Sequence, residues 1–165
     1  MTRRPWRTQG SVERVVHADP ATVYALLSDV TRVGERSPEC HSAAWEDGDP
    51  GVVGSTFRGR NRVGLLARWS RRCEVLRAEP GVAFAFRTLP ERWDVSRQDS
   101  TTWAYRLEQV EHGTRVTHSY EITRLPHRPL RWLFGRLLPD HRDMRPQMAH
   151  NLTVLGDQLA ADAPS

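Results

Sequence analysis

The feature that most constrains the fold is a change of hydrophobic period late in the chain. From Ser55 to Thr123, apolar and polar residues alternate over several strand-length runs; from Met144 onward, apolar residues recur every three or four positions. Period two belongs to strands with one covered face, and period 3.6 to a helix with one apolar stripe. Met144, Met148, Leu152, Leu155 and Leu159 fall on one side of that helix. Antiparallel strands with one apolar face need a cover, and this is the one long helical stripe available. The pattern predicts an α+β chain in which a curved antiparallel sheet wraps around a long C-terminal helix, leaving an apolar hollow between them.

The rest of the chain fills in the order. Ser11–His17 reads as a strand. Asp19-Pro20 is a helix start, with a capping carboxylate followed by proline at the first helical position. Val23, Tyr24, Leu26, Leu27 and Val30 follow at helical spacing, and Thr31 caps a short turn that Ser37-Pro38 stops. Strands are expected at Cys40–Trp45, Ser55–Val63, Ala67–Glu79, Val82–Thr88, Thr101–Glu111 and Thr114–Thr123. This gives about seven strands in the order β-α-α-β6-α. Arg58, Arg60 and Arg62 share one strand face, which puts that face in water and turns Phe57 and Asn61 inward. Pro139 interrupts the C-terminal region; Asp143 is the expected cap of the last helix, with Pro146 at its third position. Residues 11–160 read as one domain between short tails, 1–10 and 161–165.

A length of 165 residues suits a single domain with a substantial core. All 24 cationic side chains are arginine, spread from Arg3 to Arg145 against 20 acids, for a net charge of +4. Electrostatic binding to nucleic acid needs clustered cations, so no nucleic-acid partner is expected. No run approaches the ~18 apolar residues of a membrane span, and no secretory signal is visible, which makes a cytoplasmic protein the expectation. Cys40 and Cys73 lie far apart without zinc-type spacing and read as free thiols. No metal and no cofactor is expected.

Several segments together carry a family resemblance: ADPATVYALLSD after the first strand, the stretch Ser37–Gly48, GSTFRGRN, WSRRCEV, EPGVAFAF, STTWAYRLE and GTRVTHSYE. Spanning roughly residues 10–160, they resemble the SRPBCC superfamily. This is the START-like, helix-grip group that includes lipid-transfer domains, pollen-allergen-like binders and small actinobacterial polyketide cyclase/dehydrase-like proteins. The resemblance implies the helix-grip fold with an internal cavity and does not by itself imply one activity.

The inward strand positions supply an aromatic set: Phe57, Trp69, Phe84, Phe86, Trp103, Tyr105 and Tyr120. Met144 and Met148 face them from the helix. These residues make either a solid core or the wall of a small-molecule pocket. Glu39, Asn61, Arg71 and His118 are the polar candidates among them. Glu39 is a pocket acid or a solvated loop acid; Asn61 is a ligand contact or satisfies a strand end. Arg71 departs from the small hydroxyl residue that the resemblance implies there. It points inward unless a bulge turns it to water, and could pair with Glu39 or with an acidic ligand. His118 is a proton shuttle near neutral pH or a satisfied core histidine.

No triad, zinc-binding HExxH, phosphate loop or carboxylate pair is present. His118 and Tyr120 are therefore the only catalytic candidates. The leading reading is binding, and with it transport, of a hydrophobic lipid, polyketide or isoprenoid by a monomer or weak dimer. The alternatives are a polyketide cyclase, aromatase or dehydratase, and a toxin-like protein acting on the translation machinery. Residues 125–138 interleave arginine with Leu130, Trp132, Leu133 and Phe134. That composition fits either the first half of the C-terminal helix packed on the sheet or a patch that touches membrane.

Overall fold

A computed structural model describes residues 6–65 and 67–162. Seven strands form one antiparallel sheet: β1 (Gln9–Val16), β2 (Cys40–Asp47), β3 (Thr56–Val63), β4 (Ala67–Glu79), β5 (Ala83–Thr88), β6 (Ser100–Val110) and β7 (Gly113–Arg124). Their spatial order is β1-β7-β6-β5-β4-β3-β2. From β2 to β7 each strand therefore neighbours the next in sequence, and β1 closes the far edge on β7. Helix α1 (Pro20–Ser28) and a 3-10 turn (Val30–Glu35) follow β1, another 3-10 turn (Val95–Arg97) precedes β6, and helix α2 (Arg128–Leu137), a third 3-10 turn (Pro139–Arg142) and helix α3 (Arg145–Ala161) follow β7. This is the helix-grip architecture that the period change predicts.

Local chemistry sets the element ends. The Asp19 carboxylate accepts from the backbone N–H groups of Ala21 and Thr22, and Pro20 occupies the first turn. The next turn is capped by Asp29, whose side chain accepts from Thr31 N–H, and not by Thr31 itself. Gly34 lets this turn press on β2: a Cβ there would lie 2.2 Å from the His41 carbonyl oxygen. Helix α3 begins one residue later than expected. Met144 holds the cap position and Pro146 lies second in the helix, while Asp143 still accepts from Arg145 N–H.

Three apolar clusters stabilise the sheet–helix sandwich. One joins Leu26 and Leu27 of α1 to Val116 of β7 and to Leu152, Leu155 and Leu159 of α3. A second gathers Val30, Phe57, Cys73, Val75 and Phe84. The third packs Tyr120 with Met144 and Met148. The outer face of the sheet is wet and laced with ion pairs. Arg58 reaches Glu46 at 2.6 Å and Glu91 at 3.4 Å, and Arg87 reaches Glu74 at 2.7 Å.

Residues 128–137 are not the first half of the long helix. They form α2, a separate helix in which only Gly135 is fully buried. Leu130 and Phe134 are half-buried, whereas Trp132, Leu133 and Leu137 are exposed, with Trp132 at 54%. No helix among the described residues is long and apolar enough to cross a membrane.

Candidate functional site

Beneath α3 and the first 3-10 turn, the concave side of the sheet encloses a cavity of about 220 Å³. Its apolar wall comes from alternating strand positions: Phe57 on β3, Trp69 on β4, Phe84 and Phe86 on β5, Trp103 and Tyr105 on β6. Helix α3 and the residue before it add Met148 and Met144. The aromatic rings pack edge-on, Phe57 against Phe86 at 5.2 Å and Phe84 against Tyr24 at 6.3 Å. Tyr120 is the one expected wall residue missing from the lining. It is buried in the third cluster, and its hydroxyl donates to the Arg7 carbonyl at 3.2 Å.

The polar groups divide into a half-buried end and a deep end. At the half-buried end, Arg71 points inward, since β4 runs in register with β3 there and its bulge lies further on, between Val75 and Arg77. Its partner is Asp99 and not Glu39. The guanidinium meets the Asp99 carboxylate and the Asp99 carbonyl, both at 2.7 Å. Glu39 lines the cavity, which excludes a freely solvated acid. It accepts from Gln147 at 3.3 Å and lies 2.9 Å from His141 Nε2. Burial works against a charged His141, but the hydrogen bond and charge of Glu39 outweigh it and raise its pKa. Asn61 also lines the cavity, and its side chain makes no hydrogen bond among the described residues, so it is not employed in closing a strand end.

At the deep end, the His118 ring stacks on Tyr105 with centroids 4.1 Å apart. Its Nδ1 has no hydrogen-bond partner among the described residues. Burial, followed by the charge of Arg36, pushes its pKa down to about 3. A neutral imidazole this reluctant to accept a proton is a poor general base at neutral pH, which speaks against the proton-shuttle reading. Tyr120, the other candidate, is not part of the cavity lining. Cys40 and Cys73 are free and both line the cavity. Burial raises their pKa values to about 11 and about 12, so both stay thiols and act as small apolar surface. No group of three or more metal-ligating side chains occurs among the described residues.

Residues 7–152 match the family described as polyketide cyclase/dehydrase and lipid transport. The chain belongs to that family. A polyketide-cyclase-like protein of Corynebacterium glutamicum is 30% identical over 93% of this chain and 88% of its own, with a TM-score of 0.50. A protein of Mesorhizobium loti shares the fold at TM-score 0.62 and 15% identity, covering 94% of this chain and 99% of its own. The di-domain aromatase/cyclase StfQ of the steffimycin biosynthetic pathway gives TM-score 0.65 and 15% identity, over 96% of this chain and 53% of its own. Likenesses at 15% identity speak for the helix-grip fold alone. Comparison with curated proteins gives no match.

This member of the polyketide cyclase/dehydrase and lipid transport family also places residues in its cavity that the sequence does not single out. Arg36, Asp99, His141 and Gln147 all line it. Asp99 and His141 sit in irregular connections where periodicity carries no information. Arg36 is one cation among 24; the one signal available was its place at the end of a turn wedged between α1 and β2.

Proposed function

We propose that the protein binds a small hydrophobic molecule, of lipid, polyketide or isoprenoid type, in the cavity between the sheet and α3. The observation that carries this reading is the wall itself: aromatic and methionine side chains surround an open volume, and a few polar groups stand at defined points within it. That is the composition of a small-molecule site, where apolar burial supplies affinity at ~25 cal/mol per Å² and polar groups set orientation. Pockets for drug-sized ligands run to ~300–1,000 Å³, so a cavity of about 220 Å³ favours a compact ligand over a two-chain lipid. Asn61, with its amide unpaired at the half-buried end, is the candidate to orient a carbonyl or hydroxyl group.

Ligand exchange at a membrane surface fits α2. Trp132, Leu133 and Leu137 are exposed beside Arg128 and Arg136, the mixture of apolar and cationic groups that settles at a lipid headgroup boundary. Native mass spectrometry of protein isolated from its own host tests the binding reading. A single co-purifying small molecule, released on denaturation, is the expected result. A homogeneous apo mass across gentle conditions, with no uptake of added apolar compounds, would contradict it.

A further inference from the structure

Arg36 occupies an unusual position. It ends the first 3-10 turn, is only 6% exposed, and lines the cavity. Among the described residues its guanidinium makes a single long hydrogen bond, 3.4 Å to the Arg32 carbonyl. Among the described residues, the nearby carboxylates are engaged elsewhere. Glu35, its neighbour in sequence, holds Arg32 at 2.8 Å and Gln158 at 2.9 Å. Within the cavity, Asp99 is taken by Arg71 and Glu39 by His141. Asp29, at the other end of the turn, accepts from the Thr31 N–H and hydroxyl and acts on Arg36 only through its charge, while Tyr105 and His118 are neutral near pH 7.

A buried cation without a partner is costly, and an arginine cannot escape by losing its proton. Its placement is also fixed from behind. With its amide oriented so that the nitrogen faces these two acceptors, Asn151 donates to the Arg36 carbonyl at 2.9 Å and to the Gln147 carbonyl at 3.1 Å, tying the turn to α3. The close approach of Gly34 to His41 holds the same turn against β2. A preorganised fork of N–H donors, facing a cavity with a surplus positive charge, is complementary to a compact oxyanion. The neighbouring wall of Leu27, Val30 and Phe84 is apolar.

We infer that the ligand is an amphipathic acid, whose carboxylate or similarly compact oxyanion pairs with Arg36 while its apolar body lies against the aromatic wall. This rests on the cavity being a ligand site, and the test separates the two claims. Two probes of matched shape, 2-naphthoate and the neutral 2-naphthamide, are titrated calorimetrically into wild type and Arg36→Met at pH 7.5. The wild type should prefer the acid by at least about tenfold, the scale of one charge-assisted hydrogen bond. Arg36→Met should lose that preference, its affinity for the acid falling to no more than that for the amide, and Arg36→Lys should keep part of it.

Equal affinity of the wild type for acid and amide would overturn the inference and leave the binding reading intact. So would a preference that survives in Arg36→Met, which would assign the anion to Arg71 or His141. Failure of the wild type to bind either probe would overturn both claims. If Arg36→Met fails to fold, Arg36→Gln takes its place: loss of the acid preference is expected, and an undiminished preference would overturn the inference.

Discussion

His118 and His141 line the same cavity and answer pH in opposite senses. His118 is held far below its ordinary pKa, at about 3. Between pH 6.5 and 3 the unfolded chain therefore binds a proton there that the folded chain refuses, and stability falls as pH drops, by up to ~1.4 kcal/mol per pH unit for one such group. His118→Phe, which keeps a ring against Tyr105, should flatten the fall in melting temperature across that window; equal slopes in variant and wild type would show that His118 is not the group responsible. His141 is held above its ordinary pKa by Glu39, so its contribution is complete below pH 6.5 and disappears as pH rises through the raised value. Arg36 gives a third expectation at this scale. Removing a lone buried charge while keeping the aliphatic stem should stabilise the empty protein, so Arg36→Met should melt at least ~2 °C higher. A lower melting temperature would mean that the guanidinium is already satisfied within the fold. The alternation of strands made Phe57, Trp69, Phe84 and Trp103 legible as inward residues. Arg36, Asp99 and His141 were hidden because turns have no period to read.

Among the elements, α3 carries the largest share of the cover. Met148, Leu152, Leu155 and Leu159 are each at most 5% exposed, and four such side chains contribute ~6–12 kcal/mol at ~1.5–3 each, comparable with the stability of a whole domain. Truncation at Asp143 should abolish cooperative thermal unfolding; a truncated chain with an intact sheet signal and a sharp melt would contradict the role given to α3. Helix α2 should behave in the contrary way. Its outward residues contribute little to the fold, so Trp132→Ser, Leu133→Ser and Leu137→Ser together should leave the melting temperature nearly unchanged. Co-sedimentation with phosphatidylglycerol vesicles should nevertheless fall several-fold relative to wild type, and unchanged sedimentation would remove α2 from any membrane contact. The sequence shows the two helical stripes and Pro139 between them. It does not show that Trp132, Leu133 and Leu137 stay exposed, because an apolar face looks the same whether the protein or another surface covers it.

For the molecule as a whole, the order of elements and the family follow from features spread along the entire chain, which is why both were legible before any coordinates. What alternation cannot distinguish is a filled core from a lined cavity, since the same inward aromatics build either. That distinction is the account's central claim, and it is measured most directly by titrating the native protein with the neutral fluorophore N-phenyl-1-naphthylamine. A cavity predicts saturable one-to-one binding, a blue-shifted probe emission and quenching of protein emission that weakens when Trp69 and Trp103 are both replaced by phenylalanine. A solid core predicts no uptake by the folded protein, with probe emission rising only as the chain unfolds, and that result would contradict the account.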